Sequence, residues 1–400
     1  MISLLKFVVL VCLATASCEN DSKDAQLLAE GNSKFTAKMF SEVAKKNPQK
    51  SFVLSAFSVL TPLAQLALAS EGESHDELLR AIGLPNDETT KTAFKQEDSN
   101  LRSVKGIDLR TASRIYVANG YSLNKDYAAV VRDTFHSEVK NVDFTESQNA
   151  AKEINTWVEK QTNDRIKDLV DPNTLDESTR AVLVNAIYFK GKWKYPFEKH
   201  LTSDQDFYLS HRKKVQVPTM YNKEDYYYGE SAELNARILE LPYNGDESAF
   251  YIILPNDVVG INQLLEKVKD SSVLEKAFKG LYKTEVKAYI PKFKIETTTN
   301  LKETLPEIGV EGIFDASKAN LNKLITNQKD LYISDAIQKA FIEINEEGAE
   351  AAAANAFIIT ESYTESTIFA ANRPFIFAIK VNKNIIFNGV YSPSLVKEND

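Results

Sequence analysis

The chain has only two cysteines and four histidines in 400 residues. Both cysteines, Cys12 and Cys18, lie near the N-terminus, so no disulfide framework can staple the remainder, and stability must come from packing. His75, His136, His200 and His211 form no pair at metal-ligand spacing, and neither a Gly-x-Ser-x-Gly nor a His-Glu-x-x-His element occurs. The common local signatures of serine hydrolases and zinc peptidases are therefore missing, and no catalytic residue, metal or cofactor is expected. Beyond residue 16 no apolar run approaches the roughly 20 residues that a membrane-spanning helix needs, so no membrane association is expected. The net charge of -8, from 48 basic and 56 acidic side chains, gives no electrostatic reason to expect nucleic-acid binding.

What is present begins with Lys6 and the apolar run Phe7 to Leu13, followed by Ala14-Thr15-Ala16, the small-x-small pattern of a signal-peptidase site. Residues 1–16 are expected to be a signal peptide, and the mature protein to be secreted. With 43% apolar and 26% charged residues the rest has an ordinary globular composition. No linker or low-complexity break interrupts it between Asp24 and Pro393, so 17–400 is read as a single domain.

The pattern along that domain is α+β. Leu27, Leu28, Phe35, Met39, Phe40 and Val43 recur at helical spacing from Asp24 to Lys46, before Pro48. A short strand, Ser51 to Leu54, precedes an apolar helix from Val59 to Ala69, with Pro62 expected in its first turn. Ile154, Trp157, Val158, Ile166 and Leu169 predict a helix from Ala150 to Val170, stopped by Pro172. Ala181 to Phe189 is apolar almost throughout, as in a strand buried on both faces at a sheet centre. Later runs read as strands. Ile238 to Tyr243 and Phe250 to Pro255 are separated by the turn-forming Asn244-Gly245-Asp246, Glu285 to Ile295 alternates polar and apolar, and Phe375 to Ile379 is apolar.

Before that last strand comes Glu346-Glu347-Gly348-Ala349-Glu350-Ala351-Ala352-Ala353-Ala354. Alone, the alanines would suit a surface helix. Read instead as a hinge, the run has a pivot at Gly348 and small side chains at Ala349, Ala351 and Ala353. Those positions share one face of an extended strand with Asn355, Phe357 and Ile359.

The whole domain resembles the serpin family. The resemblance rests on Ile154-Asn155-Thr156-Trp157-Val158-Glu159 with Thr162 and Ile166, on Leu183 through Trp193, and on Phe197, Thr202 and Phe207. It continues through Leu241-Pro242-Tyr243, Pro291-Lys292-Phe293, Asn372-Arg373-Pro374-Phe375 and Phe387-Asn388-Gly389-Val390. It implies a serpin fold, with a large central mixed β-sheet, further sheets, about nine helices and an exposed reactive-centre loop at about 346–370. Ser55, Ser58, Asn185 and Gln338 fall in the family's shutter, beneath the centre of the main sheet, and Trp193 falls in its breach, where the hinge first enters. Serpins usually carry Ser-Pro-x-Ser where this chain has Ser55-Ala56-Phe57-Ser58, and often a histidine at the position of Gln338. The hydrogen bonding there must be built differently.

The function implied is that of a suicide-substrate inhibitor of serine proteases, similar to insect haemolymph serpins of the antitrypsin and antichymotrypsin kind, which restrain immune proteolysis. The target cleaves the loop, and the acyl-enzyme is trapped when the hinge, Glu347 to Ala354, enters the main sheet. Counting back from Asn372 places the reactive bond at Tyr363-Thr364, where a large aromatic side chain would fill a chymotrypsin-like pocket. Counting forward from Gly348 places it at Ser362-Tyr363, which would favour elastase-like or subtilisin-like targets. A non-inhibitory serpin acting as carrier or chaperone is the alternative, and would suit a hinge with bulky, charged or proline residues. The partner expected is therefore a serine protease in a covalent complex, with the inhibitor itself a monomer. The basic run His211-Arg212-Lys213-Lys214 reads as a solvated turn rather than a glycosaminoglycan site.

Overall fold

The computed structural model describes residues 2–327, 330–347 and 366–394, with side chains from residue 23 onward. The helices are α1 (Ile2–Lys46), α2 (Ala56–Ala69), α3 (Gly72–Ile82), α4 (Asp87–Ser103), α5 (Lys125–Phe135), α6 (Ser147–Gln161), α7 (Ile261–Lys267), α8 (Ser271–Lys279) and α9 (Leu301–Thr304). The strands of the first half are β1 (Phe52–Leu54), β2 (Ile107–Ala118), β3 (Glu138–Val142), β4 (Ala181–Gly191), β5 (Ser203–Ser210), β6 (Lys213–Ser231) and β7 (Ala236–Pro242). Those of the second are β8 (Ser248–Pro255), β9 (Tyr282–Pro291), β10 (Phe293–Asn300), β11 (Asp335–Ile344), β12 (Thr367–Ala370), β13 (Phe375–Val381) and β14 (Asn384–Tyr391).

Two sheets organise the molecule. A five-stranded sheet runs β10-β11-β4-β2-β3, and a nine-stranded sheet runs β1-β14-β13-β8-β7-β6-β9-β12 with β5 paired to β6. The five-stranded sheet is mixed: β11 and β4 are parallel, while β10 and β2 flank them antiparallel.

The apolar run of β4 is its middle strand, and the reason is burial on both faces. Ile187 and Phe189 pack toward the nine-stranded sheet with Ile342 of β11 and Leu241, Phe250 and Phe377 opposite. Val182, Val184 and Ala186 pack on the other face beneath Ile154 and Val158 of α6. The expected hairpin forms between β7 and β8, where Gly245 takes a positive φ of 100° that its missing Cβ makes inexpensive.

Three expectations need correction. The helix expected over Ala150 to Val170 ends at Gln161, because the Thr162 hydroxyl donates to Val158 O (2.9 Å) and accepts from Ile166 N (3.2 Å), turning the chain back. Asn155 then clamps the return, exchanging two hydrogen bonds of 2.9 Å with the backbone of Val170. Ile166 and Leu169 rejoin the same core as the helix, which is why their spacing imitates it. Second, the alternating run Glu285 to Ile295 is two strands. β9 belongs to the large sheet and β10 to the five-stranded one, with the change of sheet at Lys292. Third, α2 begins at Ala56, which puts Pro62 inside the helix rather than in its first turn.

Candidate functional site

The centre of the five-stranded sheet is where its parallel pair meets the N-terminus of α2. In the register of β11 on β4, Gln338 lies opposite Asn185. Gln338 Nε2 shares its two protons among three acceptors within reach, Asn185 Oδ1 (2.8 Å), Ser55 O (2.8 Å) and Ser58 Oγ (3.0 Å), while its Oε1 accepts from Ser55 N at 3.4 Å. The Ser58 hydroxyl donates to Asn185 Oδ1 at 2.7 Å, and Ser55 caps α2 by accepting from Ser58 N at 3.2 Å. All four residues are buried.

The misplaced proline belongs to this arrangement. Pro62 has no N–H, so the carbonyl four residues earlier, that of Ser58, receives no helical hydrogen bond. Asn185 Nδ2 supplies one instead, at 3.0 Å. A defect in the helix is thus the acceptor that ties α2 to β4.

A second cluster lies at the far end of β11, where the chain leaves the sheet. Trp193 is buried there, stacked on Tyr243 with ring centroids 4.6 Å apart, and its Nε1 donates to Asn345 O at 2.8 Å. Glu346 is only 4% exposed. Its carboxylate accepts from Lys292 Nζ (2.9 Å) and Thr202 Oγ1 (2.9 Å), and its carbonyl accepts from Phe197 N (3.2 Å). Burial pushes the Glu346 carboxyl up, but the hydrogen bonds from Lys292, its own backbone and Thr202 outweigh that and hold it below the usual carboxylate range. Glu347 pairs with Lys199, which lowers its pKa as well.

The chain is described again from Ser366, whose hydroxyl donates to Glu285 Oε1 at 2.6 Å. β12 then pairs in parallel with β9, Tyr208 N donates to Asn372 O at 2.8 Å, and the buried Arg373 donates from Nε to Pro255 O at 2.7 Å. The described chain thus stops at the β11 stem and resumes at an edge strand of the other sheet.

The family profile described as "Serpin (serine protease inhibitor)" matches residues 30–393. This chain belongs to the serpin family. Antitrypsin of Bombyx mori is 53% identical over 388 residues, covering 96% of this chain and 98% of the relative. Antichymotrypsin-2 of the same moth is 53% identical over 372 residues, covering 92% and 99%. Serpin48 of the beetle Tenebrio molitor superimposes with a TM-score of 0.85 at 36% identity, covering 92% of this chain and 98% of that one. The fold and family expected from the residue blocks are borne out.

Within the serpin, the structure brings Ser55, Ser58, Asn185 and Gln338 into one network and places Trp193 beside the stem of the loop, apart from it. Of the expected hinge only Glu347 is described; Gly348, Ala349, Glu350, Ala351, Ala352, Ala353 and Ala354 lie outside the described residues. So do Ser362, Tyr363 and Thr364. Nothing in the sequence marks Glu346 or Lys292 as part of the site, although Glu346 opens the hinge run and Lys292 lies within Pro291-Lys292-Phe293. An acidic residue beside another acidic residue gives no sign that one is buried and the other exposed. No group of three or more potential metal ligands occurs among the described residues, and none of their helices is long and apolar enough to cross a membrane.

Proposed function

We propose that this serpin is a secreted, monomeric suicide-substrate inhibitor of a chymotrypsin-like serine protease, with residues 1–16 removed on export and 17–400 forming one domain. The observation that supports trapping by insertion is the direct parallel pairing of β4 with β11, from Val182↔Asp335 to Phe189↔Ile342. A segment leaving the C-terminal end of β11 and folding back would run antiparallel to β11 and also to β4. It would replace one parallel interface with two antiparallel ones, which are slightly stronger per residue.

In the proposed sequence the protease serine oxygen attacks the Tyr363 carbonyl, forming an ester, and the Thr364 nitrogen leaves as a new amino terminus. The stem at Glu347 stays attached to β11 while Gly348 and the following small side chains enter between the strands. Carrying the ester the length of a strand from Gly348 to Tyr363, roughly 15 residues at about 3.3 Å each, moves the protease on the order of 50 Å. The Gln338 to Asn185 bond must open for this, because it spans the gap that the new strand would fill.

The choice of target rests on Tyr363, since the two moth relatives, named for different proteases, are equally identical to this chain. Incubation with chymotrypsin should give a complex that survives denaturing electrophoresis, and release a C-terminal peptide beginning at Thr364. A peptide beginning at Tyr363 would move the reactive bond to Ser362-Tyr363. Absence of a complex across a panel of serine proteases would leave the carrier reading. N-terminal sequencing of secreted material tests cleavage after residue 16.

A further inference from the structure

The end of α1, the turn before β1, the start of β6 and α7 close round a cavity of about 700 Å³ whose lining shares no residue with the loop stem. This volume lies in the usual range of small-molecule sites. Its floor is apolar, including Phe52, Leu209, Val259, Ile261, Leu265 and Pro374. Val259 is 47% exposed, a large apolar side chain left in solvent at the cavity wall.

Its rim is basic. Lys45, Lys50, Lys213 and Lys269 line it with a single carboxylate, Glu266, in a chain whose net charge is -8. Lys45 is paired with Glu42 at 2.6 Å, and Lys269 with Glu266 at 2.5 Å. Lys45 also suits the C-terminal end of α1, where cations offset the helix dipole. Lys50 and Lys213 have neither explanation, for no ion pair engages them among the described residues. In the basic run that contains Lys213, His211 faces Asp257 and Lys214 is bonded to Asp206, so the run does not present a continuous cationic row. That is poor geometry for a polysaccharide and adequate for one anionic headgroup.

We propose that this cavity binds a long-chain fatty acid, with the acyl chain on the apolar floor and the carboxylate at the rim near Lys50 and Lys213. Burying the chain supplies most of the attraction, while the lysines keep their ammonium groups in water and select for an anion. The proposal does not rest on the inhibitory reading, since no residue lining the cavity belongs to the five-stranded sheet.

The full chain should raise the fluorescence of cis-parinaric acid to saturation at one ligand per chain. Oleate should displace it, whereas acetate and oleyl alcohol, carrying the charge alone and the tail alone, should not at the same concentration. The double variant Lys50→Glu/Lys213→Glu should weaken binding at least tenfold, and Val259→Asp comparably. Both variants change exposed side chains, and unaltered thermal unfolding will confirm that they fold. Equal displacement by oleyl alcohol, or unchanged affinity in the lysine variant, would overturn the proposal. Binding that appears only when the chain is shortened after Ser394 would also overturn it, giving the cavity to the protein's own C-terminal residues.

Discussion

The side-chain amide of Gln338 donates to Asn185 Oδ1 across the parallel pair β11 and β4, at 2.8 Å. It also reaches Ser55 O and Ser58 Oγ, so one residue joins both strands to α2. Gln338→Leu would take one partner from each of these buried groups, leaving the Ser58 hydroxyl as the remaining donor shared by Asn185 Oδ1 and Ser55 O, and should lower stability by about 1 to 3 kcal/mol. The urea midpoint will check this. Gln338→His should regain much of the loss at pH 8 but not at pH 5. A neutral imidazole can donate and accept here, whereas a buried imidazolium is penalised, so stability is lost as pH falls through about 6.5.

Removing the cation from the stem should loosen the point at which the chain leaves β11. Lys292→Ala leaves the Glu346 carboxylate buried with only Thr202 and backbone partners, at a cost of about 1 to 2 kcal/mol given that the lysine is itself part exposed. Because Glu346 has a lowered pKa when folded, the wild-type contribution is present above its ordinary value of 4.5 and lost as pH falls below it. The difference in thermal midpoint between wild type and variant should accordingly shrink in acid.

Glu97 behaves in the opposite sense. It is 5% exposed, accepts from Asn384 Nδ2 at 2.8 Å, and burial pushes its carboxyl up to about 7. Between pH 4.5 and 7 the folded chain holds a proton that the unfolded chain has released, so stability falls as pH rises through that window. Glu97→Gln keeps the acceptor and removes the charge. It should raise stability by on the order of 2 kcal/mol at pH 8 and leave it nearly unchanged at pH 4.5. A gain of equal size at both pH values would show that the charge is not responsible.

Ala349→Arg tests the proposed hinge. If Ala349 must enter the face of the sheet that packs on the core, a guanidinium there stalls insertion. The variant should be cleaved at the same bond as the wild type, yet form little or no stable complex, with the ratio of cleaved to complexed inhibitor rising at least tenfold. Retained complex formation would contradict the assignment of the face.

The parts of this molecule legible in the sequence are those governed by one local rule. β4 announced its double burial by apolar residues on both strand faces, and Asn244-Gly245-Asp246 announced a turn by its backbone requirements. The residues that misled did so because distant partners decide them. Ile166 and Leu169 keep helical spacing only because the chain doubles back under Thr162 and Asn155. Pro62 breaks a helical hydrogen bond that Asn185, far away in sequence, restores to the same carbonyl. The shutter residues could be named from resemblance, but no pattern in the chain states that the substitution at 338 supplies a donor with two protons and an acceptor together.

Lys292 sits between Pro291, the last residue of β9, and Phe293, the first of β10. It is therefore the seam at which the backbone crosses from one sheet to the other, and the same residue grips Glu346. A shift of one sheet against the other would therefore act on Glu346 through this seam. The end of the β11 stem is thus fastened to the junction of two sheets and not to one strand alone.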